Sequence, residues 1–129
     1  MPVRIYHNPR CNTSRTTLAL LREKGIEPEI VEYLKTPYTA AGLKTLLGQL
    51  NAIFRQIPTS LPHQPPWMPA KALVRKKEAA ALGIDPVKMS EDALIAAMVT
   101  NPILVERPIV VSGAKAALGR PPEKVLTVL

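Results

Sequence analysis

Among its 129 residues the chain has one cysteine, two histidines, one tryptophan and one phenylalanine. A single cysteine excludes an internal disulfide and suits a reducing compartment, so a cytoplasmic protein is expected. One cysteine with two histidines makes no metal-ligand set, and no metal is expected. Aromatic residues are only 4% of the chain, so the core must be built from Leu, Ile, Val and Ala. No apolar run approaches the roughly 20 residues of a membrane span. Met1-Pro2-Val3-Arg4 reaches a charge before the apolar core of a signal peptide could form. Acidic residues are also scarce, ten against seventeen basic ones, for a net charge of +7. That excess would suit nucleic acid, but the basic residues are scattered and no aromatics interleave with them to stack bases. The densest run is Arg75-Lys76-Lys77. Direct nucleic-acid binding is therefore not expected; the charge points to small anionic substrates and a solvated surface.

What is present centres on Ile5-Tyr6-His7-Asn8-Pro9-Arg10-Cys11-Asn12-Thr13-Ser14-Arg15. Val3 to Tyr6 is β-prone, Asn8-Pro9 signals a turn, and a helical pattern begins at Thr13 or Ser14. Cys11 is thereby set at or just before a helix N-terminus, where unpaired backbone N–H groups and the helix dipole favour an anion. A free thiol titrates near ~8.5, and such a setting lowers this by one to several units. Arg10, Arg15 and His7 add cationic or polarisable neighbours. Buried inert cysteines rarely sit among Asn, Pro, Arg, Thr and Ser, so a reactive thiol is the reading preferred here.

The rest of the chain reads as one α/β domain. Leu18, Ala19 and Leu21 mark the face of the first helix, with Arg22 and Lys24 in its last turn and Gly25 as its cap. Glu29 to Leu34 is a second strand, parallel to the first in a βαβ unit. Thr39 can cap a helix in which Leu43, Leu46, Leu47 and Leu50 fall at i, i+3, i+4 and i+7. A helical insertion is expected over about 39–100. Within it, residues 57–69 carry several prolines and read either as a surface excursion or as a docking loop. One Ala-rich helical stretch is expected from Ala70 to Leu82, and a second begins with Ser90 as its cap. Ile109-Val110-Val111 is a buried strand, Ser112-Gly113 a hairpin turn, and Ala116-Ala117-Leu118 the return strand. A last helix opens at Gly119-Arg120, with Val125, Leu126 and Leu129 facing inward.

Spacing narrows the chemistry. A phosphatase-type anion loop needs an arginine six residues after the cysteine, where this chain has Thr17. A dithiol motif needs a second cysteine where Ser14 stands, so Cys11 cannot close an internal disulfide and redox turnover needs an external thiol. His7 reads as a thiolate-tuning neighbour or as a loop hydrogen-bonder. Arginine grips tetrahedral oxyanions through a rigid fork of donors. Arg107, just before the buried strand, should run beside the Cys11 loop, with Arg120 and Arg75 as further candidates.

Three blocks now resemble a known family. Tyr6 to Arg15, Asn101-Pro102-Ile103-Leu104-Val105-Glu106-Arg107-Pro108-Ile109-Val110-Val111 and Gly119-Arg120-Pro121-Pro122-Glu123-Lys124-Val125-Leu126 are similar to the hallmarks of the glutaredoxin-coupled arsenate reductases, the ArsC family. The resemblance implies a thioredoxin-like fold, β-α-β then β-β-α in a mixed sheet, with a helical insertion and a cis peptide at Arg107-Pro108. It implies that Cys11 attacks arsenate, that glutathione serves as co-substrate rather than bound cofactor, and that glutaredoxin resolves the mixed disulfide as arsenite leaves. It assigns oxyanion binding to Arg75, Arg107 and Arg120 and thiolate support to His7 and Ser14. Asn12 replaces the family's glycine, and the proline-rich segment departs from its pattern; around Arg75-Lys76-Lys77-Glu78 and Gly119-Arg120-Pro121-Pro122-Glu123 the chain resembles an arsenate reductase-like branch. Two alternatives share the fold: a general glutathione-dependent thiol oxidoreductase, and an Spx-like regulator that binds RNA polymerase. The regulator usually carries a Cys-x-x-Cys switch, against which Ser14 counts.

Overall fold

The computed structural model describes residues 3–54 and 70–129. Residues 57–69, the proline-rich segment, lie outside the described residues. Strand β1 (Val3–His7), helix α1 (Asn12–Glu23) and strand β2 (Glu29–Glu32) form a βαβ unit with β2 parallel to β1. Helices α2 (Ala40–Phe54), α3 (Lys76–Ala81) and α4 (Glu91–Thr100) follow, with 3-10 turns at Ala70–Leu73 and Pro102–Leu104. Strands β3 (Ile109–Ser112) and β4 (Lys115–Leu118) precede a terminal 3-10 helix over Pro122–Val128. The sheet runs β2-β1-β3-β4, with β3 antiparallel to both its neighbours. This is the thioredoxin-like arrangement. Among the described residues no helix is long and apolar enough to cross a membrane.

Alternation along the strands divides the core in two, because successive strand residues point to opposite faces. Ile5, Val110 and Ala117 are in register across three strands and pack with Leu18 and Leu21 of α1 and with Val125 and Val128. On the other face Tyr6, Ile109, Val111 and Ala116 meet Leu43, Leu46, Leu47 and Leu50 of α2 and Leu94, Ile95 and Met98 of α4. All four α2 leucines are buried, as their spacing requires. Thr39 Oγ1 accepts a hydrogen bond from the Gly42 N–H at 2.9 Å and so caps α2, while Ser90 caps α4 through the Ala93 N–H. At the end of α1, Gly25 has φ +80°. Its N–H and that of Ile26 reach back to Arg22 and Leu21, the paired closure of a left-handed cap.

Several expectations are corrected. The stretch from Ala70 to Leu82 is not one helix. Val74 forms an isolated antiparallel bridge with Val105, the Arg75 N–H donates to Leu104 O at 2.7 Å, and the Glu106 N–H to Leu73 O at 2.8 Å. Extended pairing at Val74-Arg75 interrupts the helical run. The second strand stops at Glu32 rather than Leu34, and Tyr33 turns fully inward. On α1, Thr17 is buried and Ala19 exposed, because Thr17 satisfies its hydroxyl on Thr13 O at 2.9 Å. The helix begins at Asn12 instead of Thr13 or Ser14. The terminal helix is 3-10, with three residues per turn, so Val125 and Val128 share the inner face while Leu129 is exposed.

Gly119 is the tightest point near the β3 entrance. An added Cβ would lie 2.8 Å from both Pro108 Cγ and Thr17 Oγ1. Gly119→Ala is expected to destabilise the fold by about 1–3 kcal/mol, the usual penalty of overpacking. A thermal melt checks this, and an unchanged melting temperature would refute it.

Candidate active site

The parallel register of β1 and β2 brings His7 opposite Glu32, so both strands end at the same edge of the sheet. Beyond that edge the chain turns tightly. The Cys11 N–H donates to Asn8 O at 2.9 Å, Asn8 Oδ1 accepts from the Arg10 N–H at 3.0 Å, and Arg15 Nη1 donates to Pro9 O at 2.8 Å. These bonds present Cys11 as the N-cap of α1 in extended conformation, without a side-chain capping bond. Its thiol is free and half-buried.

The segment 105–108 reaches this turn because β3 runs antiparallel beside β1. Its Arg107-Pro108 peptide is cis, as is Arg120-Pro121. Burial pushes the Cys11 thiol up. The nearby Ser14 backbone N–H and Arg107 side chain, with the charges of Arg107 and Arg120, outweigh it, so the thiol sits below its ordinary value. Arg120 Nη2 lies 3.8 Å from Cys11 Sγ, while its Nε donates to Arg107 O at 2.8 Å and pairs with Glu106 Oε2 at 3.2 Å.

Arg75 joins the cluster because of the break that ends the 3-10 turn before it. It is the N-cap of α3, and the charges that raise its pKa against the cost of burial are those of Glu78, Glu106 and Cys11. Its Nε is 2.9 Å from Glu78 Oε2, close in distance but not aligned as a hydrogen bond. That guanidinium holds the Glu78 carboxyl below its usual range. Arg75 Nη1 and both Nε and Nη1 of Arg107 are buried with no hydrogen-bond partner among the described residues.

His7 and Ser14 are placed differently from Cys11's direct neighbours. Ser14 Oγ and His7 Nδ1 are hydrogen-bonded at 2.6 Å, and Ser14 Oγ also accepts from the Asn8 N–H at 3.1 Å. Both side chains are buried. Ser14 thus spends its hydroxyl on the loop, in bonds to His7 and Asn8. Among the described residues no hydrogen bond joins His7 to Cys11. Burial lowers the His7 pKa, as do Arg22 and Arg15, and Glu32 only partly offsets them, so His7 is neutral at neutral pH.

Two neighbours escaped the sequence pattern. Glu106 pairs with Arg120, a partner fourteen residues away that no local spacing reveals. Tyr33 reads as the end of a strand, and only the parallel register sets it beside Asn8. The arrangement as a whole holds an activated thiol among guanidinium donors, suited to nucleophilic attack on a tetrahedral anion. Alkylation of Cys11 by iodoacetamide, followed against pH, should have its midpoint below the ordinary thiol value of ~8.5. The sign follows from the lowered pKa: thiolate persists as pH falls through the range where a free thiol is already protonated. A midpoint at or above ~8.5 would refute this electrostatic account.

Comparison with known proteins agrees with the blocks singled out above. The chain is 48% identical to YfgD, an uncharacterized Escherichia coli (strain K12) protein, over 98% of this chain and 96% of that one. It is 40% identical to an arsenate reductase of Rhizobium meliloti (strain 1021), over 100% of this chain and 82% of that one. The solved structure of an arsenate reductase from Vibrio cholerae superposes with a TM-score of 0.78 at 41% identity, covering 100% of this chain and 98% of that chain. The ArsC family model matches residues 6–128, nearly the whole sequence, and the chain belongs to the ArsC family.

Proposed function

We propose that the protein is an arsenate reductase that uses glutathione and glutaredoxin. One observation carries the reading: a thiol held below its ordinary pKa stands beside buried guanidinium N–H groups of Arg75 and Arg107 that lack partners among the described residues. Such forks match the edges of a tetrahedral oxyanion, and in a site shielded from water they offset charge developing on its oxygens. Arsenate reductases at 38% and 40% identity support the choice of anion.

In this reaction the Cys11 thiolate attacks arsenic(V), and one oxygen leaves as water after protonation. Glutathione then attacks the adduct at the Cys11 sulfur. The sulfur–arsenic electron pair passes to arsenic, which departs as arsenite, leaving a Cys11–glutathione disulfide. Glutaredoxin takes up the glutathione and returns Cys11 to the thiol, so two thiols supply the two electrons that arsenic gains. Arg107 and Arg120 stabilise the thiolate, and Arg75 and Arg107 hold the anion. The buried Ser14–His7 pair fixes the loop that aims the sulfur.

The test is NADPH oxidation coupled through glutathione reductase, glutathione and glutaredoxin, titrated with arsenate. Saturable turnover is expected. No arsenate response, together with reduction of a glutathione mixed disulfide, would replace this reading with a general thiol oxidoreductase.

A further inference from the structure

Tyr33 carries a group that the reaction described above does not use. The residue is 0% exposed, yet its hydroxyl has no hydrogen-bond partner among the described residues. Buried hydroxyls are normally paired, because an unpaired one loses its water without recompense. The ring itself is well held. It meets Tyr38 in a tilted ring pair with centroids 5.7 Å apart, and Tyr38 meets Tyr6 in another at 5.0 Å. The following turn is fixed by the Lys35 and Thr36 N–H groups, both donating to Glu32 O at 2.9 Å.

This rigid mount stands at the active edge of the sheet. Tyr33 follows Glu32, the register partner of His7, and so sits level with the start of the Cys11 loop. The charges that act on its hydroxyl are those of Arg107, Cys11 and Arg75. Asn8 is near enough to act on the hydroxyl, but no aligned hydrogen bond joins the two. Burial keeps the phenol protonated at neutral pH despite the two arginines, so it remains a donor.

We propose that the Tyr33 hydroxyl binds the oxyanion substrate, donating a hydrogen bond to an oxygen of the anion held by Arg75 and Arg107. The inference rests on the reading of the site as an arsenate site. A neutral donor beside two cations adds direction without adding charge, and it helps distinguish a tetrahedral oxyanion from a simple halide. The unpaired hydroxyl is then a stability cost retained for binding.

The experiment compares wild type, Tyr33→Phe and Tyr38→Phe in the arsenate-coupled assay, in protection of Cys11 from iodoacetamide by arsenate, and in thermal melts. Tyr38 is the control, since its buried hydroxyl also lacks a partner but only Tyr33 and Tyr6 act on it. Tyr33→Phe should raise KM for arsenate, and the arsenate concentration needed for protection, on the order of tenfold. Its kcat should change less than KM, its melting temperature should stay or rise, and Tyr38→Phe should leave KM unchanged. An unchanged KM and protection in Tyr33→Phe would overturn the proposal, as would a melting temperature several degrees lower. Slower alkylation without arsenate would overturn it too, by showing that the hydroxyl serves the thiol instead. If wild type itself shows neither turnover nor protection with arsenate, it is the underlying reading of the site that fails.

Discussion

Cys11→Ser should retain the fold and lose arsenate turnover by a factor on the order of 10³ or more, the scale of losing a covalent nucleophile. A serine hydroxyl has no comparable anion at neutral pH, so the charges of Arg107 and Arg120 that lower the Cys11 pKa would have no thiolate to favour. The fold should tolerate the change. Cys11 is only half-buried, and it occupies the N-cap of α1 without making a side-chain capping bond. Serine is among the best N-cap residues, and the exchange should stabilise α1 by about 0.5–1 kcal/mol. Activity and stability are therefore expected to move in opposite directions. Coupled NADPH oxidation and a thermal melt on the same preparation measure both. Full activity in purified Cys11→Ser would end the covalent mechanism.

Arg107→Ala should lower kcat/KM by about 10²–10³, the loss seen when one preorganised oxyanion donor is removed. The residue acts twice. It lowers the Cys11 pKa, and it presents buried N–H groups with no partner among the described residues. Its removal should therefore also shift the iodoacetamide profile of Cys11 to higher pH, a readout that damage elsewhere would not produce. Arg120→Ala should cost less, because its Nε is committed to Arg107 O and Glu106, and only Nη2 points to the sulfur. Lys24→Ala, on the exposed end of α1, supplies the surface-charge control. Equal activity for Arg107→Ala and Lys24→Ala would remove Arg107 from the site. Arg107→Lys should fall between, since an ammonium keeps the charge and loses the fork.

The chemistry was most legible where it was local. Asn8-Pro9 followed by Cys11 and a helical pattern already implies an N-terminal thiol, since turn and helix start lie within a few residues of one another. The leucines of α2 were legible for the same reason: helical period alone sets which side chains share a face. Arg75 was different. Its Ala-rich surroundings read as continuous helix, and the bridge between Val74 and Val105 that interrupts it joins residues thirty-one apart. Local propensity lost to a tertiary hydrogen-bonded pairing, and the break is what leaves Arg75 at the head of α3.

Sequence alone thus determined the thiol, its helix terminus, the βαβ opening, the amphipathic α2 and, through three matching blocks, the family. Those features depend on neighbours within a turn or two, or on residue identities that persist without coordinates. Tertiary structure decided which donors meet the thiol and how. It turned the Ser14 hydroxyl to His7 and brought the Arg120 Nη2 to the Cys11 sulfur. Antiparallel pairing of β3 with β1 carried Arg107 to the Cys11 loop, and Glu106 came to pair with Arg120. The inward turn of Tyr33 was also decided there. Each of these depends on register and burial between segments distant in the chain, which no spacing along the sequence expresses.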